Sequence, residues 1–90
     1  MSNIENNLTE ISIYPNPTPG TVIVSYSGKI DGDIELLLIN VLGEVIYQEV
    51  IYQTGDLITR TLDIGINAKG IYYLQIKEEN IKTVKKIVLN

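Results

Sequence analysis

Apolar residues alternate with polar residues along most of the chain, with the period of two that is typical of β-strands. This pattern predicts seven strands, over residues 8–14, 21–27, 33–39, 44–52, 57–64, 70–77 and 81–89. Turn-forming segments separate them at residues 15–20, 28–32, 40–43, 54–56, 65–69 and 78–80. Because an open sheet of this size would leave an apolar face in water, we expect an all-β, antiparallel sandwich of two sheets.

The segment from Asn40 to Gly43 lies between two alternating runs and predicts the turn of a hairpin. Its composition favours a type I turn that ends in a left-handed glycine, the arrangement known as a G1 bulge. Such a turn would set the register of the two strands that it joins.

The last two predicted strands differ in regularity. In the sixth strand Tyr72, Leu74 and Ile76 fall on one face, and we expect that face to lie in the core. In the seventh strand Lys85 and Lys86 are adjacent and interrupt the alternation, which predicts a β-bulge there.

The length of 90 residues corresponds to one domain, with a core supplied by Ile, Val, Leu and Tyr because Phe, Trp and Cys are absent. We assign the domain to residues 8–90 and interpret residues 1–7 as a flexible linker remnant. The chain contains no signal peptide and no apolar run long enough to cross a membrane. If the protein is exported, its signal peptide is therefore expected upstream, in a longer precursor.

The net charge of −4 is unevenly distributed, with −7 over residues 1–68 and +3 over residues 69–90. An acidic total argues against nucleic-acid binding, which needs clustered Lys and Arg. The basic end has two interpretations. It is either a local docking surface for an acidic partner or an edge strand on which lysines prevent aggregation.

Histidine and cysteine are both absent, which removes the commonest general base and the best nucleophile. Asp31 and Asp33 flank a glycine as in some calcium loops, but the further ligands are missing and a solvated turn is favoured. The Asn7 triplet matches the N-glycosylation pattern, which often arises by chance. Most of the six tyrosines lie at strand positions, where we expect half-buried rings to pack against the core instead of forming a carbohydrate platform. The sequence therefore predicts no catalytic residues, no metal and no cofactor.

Four motifs occur in a fixed order along nearly the whole chain. They are Ile-Tyr-Pro-Asn-Pro-Thr at 13–18, Leu-Ile-Asn-Val-Leu-Gly-Glu-Val at 38–45, Leu-Asp-Ile at 62–64 with Lys-Gly-Ile-Tyr at 69–72, and Val-Lys-Lys-Ile-Val-Leu at 84–89. In combination they resemble the C-terminal sorting domain, type A, of proteins that Gram-negative bacteria secrete through the type IX secretion system.

The resemblance implies an immunoglobulin-like β-sandwich of about seven strands at the C-terminus of a larger cargo. Such a domain is a non-catalytic address. The cargo crosses the inner membrane by a signal peptide, and components of the outer-membrane translocon recognise the domain in the periplasm. A sortase-like surface peptidase then cuts just before the domain, here within or upstream of residues 1–7, and the cargo reaches the cell surface or the medium.

The resemblance also assigns roles to particular residues. Four of them match the terminal signal region and are candidates for recognition by the translocon: Gly70, Tyr72, Lys85 and Lys86. Four others match structural motifs of the family: Pro15, Asn16, Pro17 and Gly43. Two other functions remain open, since a fold does not decide function. An Ig-like adhesion or carbohydrate-binding module would present exposed tyrosines in a line, and a spacer domain would function at any position in a longer protein.

Overall fold

The computed structural model describes residues 10–90, and for residues 28–31 and 53–56 it describes the backbone alone. The predicted linker 1–7, the start of the first predicted strand at residues 8 and 9, the Asn7 triplet and the side chain of Asp31 lie outside the described parts. Five strands follow one another: β1 (Glu10–Tyr14), β2 (Thr21–Asn40), β3 (Val45–Asp63), β4 (Gly70–Glu78) and β5 (Ile81–Leu89). All pairs of neighbouring strands are antiparallel.

The two long strands, β2 and β3, each contribute to both sheets. In the first sheet, residues 21–27 of β2 lie between β1 and residues 57–63 of β3. In the second sheet, residues 34–39 of β2 lie between residues 45–51 of β3 and strand β4, and β5 follows β4. Counted by sheet, the five strands give seven segments in two antiparallel sheets. The predicted all-β sandwich is confirmed.

Two of the predicted turns are wrong, because the backbone continues as strand through residues 28–32 and 54–56. These stretches pair with each other, as Ile30 with Gly55 and Asp31 with Thr54, so their backbone groups remain in the β-ladder. A register shift between Ser27 and Ile30 accompanies the passage from one sheet to the other. The glycine-rich composition that indicates a turn here permits an irregular strand instead.

The core lies between the inner faces of the two sheets. Tyr72, Leu74 and Ile76 are at most 4% exposed, which confirms the face predicted for that strand. The remaining buried apolar side chains come from both sheets and from the segment after β3: Val22, Val24, Tyr26, Ile34, Leu36, Leu38, Ile51, Ile58, Leu62, Ile64, Ile87 and Leu89. Every second residue of β2 enters this core at both of its ends, as the alternation predicts.

The predicted hairpin turn after β2 is confirmed. The Gly43 amide donates to the carbonyl of Asn40 at 3.0 Å, and Gly43 has a φ of 85°. The Asn40 side-chain oxygen also accepts from the amides of Leu42 and Glu44, both at 2.9 Å. A register shift between Leu38 and Ile39 lies beside the turn, as a bulge requires.

The bulge predicted in the last strand is wrong. Strand β5 pairs with β4 in unbroken register, from Gly70 opposite Leu89 to Glu78 opposite Ile81. Lys85 therefore lies opposite the buried Leu74, on the inner face of the sheet, yet its side chain is exposed. The position is next to an open edge, where a long aliphatic chain can carry its ammonium group to water without disturbing the strand.

Candidate functional site

The motifs that lie far apart in the sequence meet at one end of the sandwich. In the second sheet Asn40, the first residue of the hairpin turn, pairs with Tyr72, and Tyr72 pairs with Ile87. One step further along, Gly70 pairs with Leu89, and Leu89 forms a parallel bridge to Thr18. We call this region, defined by residues 15–20, 40–43, 70–72 and 86–90, the motif end.

The loop before β2 covers part of the outer edge of β5. The Asn16 side chain donates from Nδ2 to the carbonyl of Lys86 at 2.8 Å and accepts at Oδ1 from the amide of Val88 at 2.9 Å. The Thr18 amide donates to the carbonyl of Val88 at 2.8 Å, and the Asn90 amide donates to the carbonyl of Thr18 at 2.9 Å. Asn16 and Thr18 together therefore take the place of a neighbouring strand.

The hydroxyl of Thr18 fixes this residue through two hydrogen bonds. Thr18 is 0% exposed, and its hydroxyl donates to the Thr21 carbonyl at 2.7 Å and accepts from the Gly20 amide at 3.0 Å. A buried hydroxyl must be hydrogen-bonded to avoid a large desolvation cost. The two bonds thus fix the loop in the position from which its backbone reaches β5.

Pro15 and Pro17 lie on either side of Asn16, and both peptide bonds that precede them are cis. Neither proline has an amide donor, so the loop between β1 and Thr18 forms its contacts to β5 through Asn16. The three residues are exposed. The structural motif predicted from the sequence is thus located beside the last strand.

Gly70 and Tyr72 lie at the start of strand β4. Gly70 has a φ of 145°, a backbone conformation that residues other than glycine rarely adopt. A Cβ at this position would meet no atom within 4 Å. The backbone conformation, and not close packing, is therefore what requires glycine. Tyr72 is 4% exposed, and its hydroxyl donates to the carbonyl of Ala68. Its side chain belongs to the core of the domain.

The lysines of β5 are exposed. Lys82 and Lys86 pair with Lys77 and Tyr73, on the outer face of the second sheet, whereas Lys85 is on the opposite face. None of these β5 lysines forms an ion pair with the residues that the structure describes; the ion pair found there joins Glu49 and Arg60. The basic character predicted for the C-terminal part is thus presented to solvent.

The Glu49–Arg60 pair connects the two halves of β3. Arg60 Nε lies 3.0 Å from Glu49 Oε2, with the side chains 35% and 28% exposed, and the Tyr47 hydroxyl also donates to Glu49. The Tyr47 hydrogen bond is the main cause that holds the pKa of Glu49 below its usual range, and Arg60 adds to it. Burial, followed by the bond to Glu49, raises the pKa of Tyr47.

Sequence reasoning found residues of the motif end but missed one set of its contacts, and it also missed an ion pair outside that region. The capping of β5 by Asn16 joins residues 70 and 72 positions apart, and the sequence offers no local signal for it. The Glu49–Arg60 pair was also missed. A signal did exist, since both residues occupy inward positions in alternating strands, where a charge needs a partner.

The tyrosines are distributed over both sheets. Tyr26 and Tyr72 are buried, and the most exposed are Tyr14 at 49% and Tyr52 at 76%. Tyr14 belongs to β1 in the first sheet, whereas Tyr52 pairs with Asp33 in β3 at the margin of the second sheet. The described tyrosines therefore do not form the exposed line that a carbohydrate platform would use.

Among the described residues, no group of three or more Asp, Glu, His and Cys side chains is close enough to hold a metal ion. No helix long and apolar enough to span a membrane is found in the described part of the chain.

Comparison with known proteins identifies a family for this chain. Residues 12–90 match the family model described as the secretion system C-terminal sorting domain, a signal of type IX secretion. No curated protein matches the chain. Members of this family act as sorting signals for the type IX machinery and direct export to the cell surface or the extracellular space. The match covers most of the chain and includes the whole motif end, and the chain therefore belongs to the family of type IX secretion C-terminal sorting domains.

Proposed function

We propose that this domain is the non-catalytic address of a larger cargo protein, read by the outer-membrane translocon while the cargo is in the periplasm. The family match over residues 12–90 carries the proposal. The convergence of the motifs supports it, because motifs scattered over the sequence contribute to one continuous region. After export, a sortase-like surface peptidase removes the domain by cutting within or upstream of residues 1–7.

The residues of the signal region have two different roles in this proposal. Gly70 and Tyr72 act through the fold, because one sets a backbone conformation and the other fills the core. Lys85 and Lys86 are exposed and meet the translocon directly. Pro15, Asn16, Pro17 and Gly43 support the region by holding the loop and the hairpin that border it.

A reporter fusion tests the address. A reporter with its own signal peptide is placed before residues 8–90 in a bacterium with a type IX system, and we expect it at the cell surface or in the medium. Retention of the reporter in the periplasm would contradict the proposal. An adhesion or carbohydrate-binding module, or a spacer, would then become the better interpretation.

A charge change tests the lysines. Lys85→Gln with Lys86→Gln preserves the fold, because exposed substitutions change stability by less than about 1 kcal/mol. We expect this double variant to leave the reporter in the periplasm. Lys69→Gln with Lys77→Gln removes the same charge elsewhere in the basic region and serves as the matched control. Export of the first variant at the level of the control would exclude Lys85 and Lys86 from recognition.

A further inference from the structure

The outer edge of β5 is covered along only half of its length. Asn16 and Thr18 bond to the carbonyl of Lys86 and to both backbone groups of Val88. Outward and inward backbone groups alternate along an antiparallel edge strand, so Lys82 and Val84 also direct their amides and carbonyls outward. Among the described residues nothing pairs with these groups or with the amide of Lys86.

The uncovered half, residues 82–86, has the features of a docking strand. Its backbone pairs with β4 in unbroken register. Val84 is 48% exposed, and it lies on the outer face between Lys82 and Lys86. An extended peptide added here would have its own outer-face residues opposite these three, since side chains directly across a strand pair share one face. The matching sequence has acidic, apolar and acidic residues at every second position.

Charge distinguishes this edge from the others. The edges of β1 and β3 that pair with no described strand lie within residues 1–68, which hold a net charge of −7, whereas residues 69–90 hold +3. An acidic strand is therefore repelled by the rest of the molecule and attracted to β5. A second copy of this chain is a poorer partner at the same edge, because in an antiparallel pair centred on Val84 each Lys82 would lie opposite a Lys86.

We propose that residues 82–86 of β5 receive an extended acidic segment of the type IX machinery by β-strand addition. Main-chain hydrogen bonds to Val84 and Lys86 supply attachment, and the alternating lysines select an acidic partner. This inference rests on the proposed function and adds to it the mode of recognition. Asn16 and Thr18 limit the addition to one half of the edge.

A peptide titration tests the binding mode without any secretion. The probe is a blocked heptapeptide, Thr-Glu-Thr-Val-Thr-Glu-Thr, added to the 15N-labelled domain and followed by NMR. We expect saturable shifts of the Val84 and Lys86 amides and at least tenfold slower exchange of both. The same peptide with Lys in place of Glu is the control and should produce neither effect. The absence of saturable shifts with the acidic peptide would overturn the proposal.

Two substitutions at one position test recognition by strand addition in the cell. Val84→Pro removes an outward amide that β4 does not use, so we expect the domain to remain folded, whereas Val84→Thr retains the amide. With the reporter fusion, we expect Val84→Pro to lower export at least tenfold and Val84→Thr to preserve it. Normal export by a folded Val84→Pro variant would overturn strand addition while the sorting function stands. Failure of the unmodified domain to export would instead contradict the sorting function.

If the proline variant does not fold, the lysines provide the test. Lys82→Glu with Lys86→Glu reverses the charge on the outer face and should abolish binding of the acidic peptide and favour the basic one. Lys69→Glu reverses one exposed charge of the basic region outside β5 and is the control for charge alone. An unchanged peptide preference in the double variant would contradict the assigned face and register.

Discussion

Asn16 shows how a single side chain can replace a stretch of backbone. Its carboxamide donates through the NH2 group to the carbonyl of Lys86 at 2.8 Å and accepts at the oxygen from the amide of Val88 at 2.9 Å. An asparagine can do this because its carboxamide has the same donor and acceptor as a peptide group. Tyr72, at the same end of the molecule, stabilises the fold through burial of its ring.

Asn16→Ala is expected to lower the free energy of unfolding by about 1 kcal/mol, since two hydrogen bonds at an exposed edge are lost and water replaces part of them. For a domain of this size that corresponds to a fall in Tm of roughly 4–8 °C. Ser12→Ala, at an exposed position in β1, is the control and should leave Tm nearly unchanged. Equal Tm values for the two variants would mean that Asn16 does not anchor β5.

Tyr72→Ala is expected to cost about 3 kcal/mol or more, because removal of a buried aromatic ring leaves a cavity. Tyr72→Phe retains the ring and loses only the hydrogen bond to Ala68, so we expect a loss of about 1 kcal/mol. Urea denaturation of both variants separates the two contributions. A Tyr72→Ala variant as stable as the wild type would place this side chain on the surface.

At the scale of elements, two long-range contacts hold particular strands in place. The loop of residues 15–20 covers half of the edge at β5, whereas in β3 a charged pair connects the two halves of the strand. The Glu49–Arg60 pair joins a residue of the second sheet to a residue of the first. Its partial exposure, at 28% and 35%, limits its contribution because water screens it.

Glu49→Gln tests the Glu49–Arg60 pair through the pH dependence of stability. The pKa of Glu49 is lower in the folded protein than its ordinary value of 4.5, so the stabilisation is present above that value and is lost as pH falls through the folded pKa. We expect Glu49→Gln to be slightly less stable than wild type at pH 7, by under about 1 kcal/mol. The difference should shrink as pH falls below 4.5 and vanish once Glu49 is protonated in the folded protein. A difference that persists in acid would show that the carboxylate charge is not the cause.

At the scale of the whole molecule, β2 and β3 join the two sheets. Residues 21–27 and 34–39 belong to one continuous strand, and residues 45–51 and 57–63 belong to another. A sheet cannot separate from its partner without disrupting both strands. The core is also shared, because β2 enters it from each sheet.

We therefore expect the two sheets to unfold in one cooperative transition. Native-state hydrogen exchange at Val24, in the first sheet, and at Leu74, in the second, should report the same free energy of opening within about 1 kcal/mol. Both amides lie in strands that have neighbours on each side. A markedly lower value for Val24 would mean that the first sheet opens by itself.

The sequence by itself determined the strand period, the inward face of Tyr72, Leu74 and Ile76, and the turn that ends at Gly43. These features depend on residues close together in the chain, through side-chain alternation and turn chemistry. The family motifs also identified the residues of the candidate site, though not how they touch.

Only the tertiary structure decided how the edges are closed and how the sheets are joined. The continuity of β2 through residues 28–32 depends on its pairing with β3. The unbroken register of β5 with β4 depends on an open edge, where the Lys85 side chain can reach water. Asn16 reaches Lys86 across 70 positions. Contacts between such distant residues arise when the chain has packed, because burial and strand pairing select them, and no local pattern encodes them.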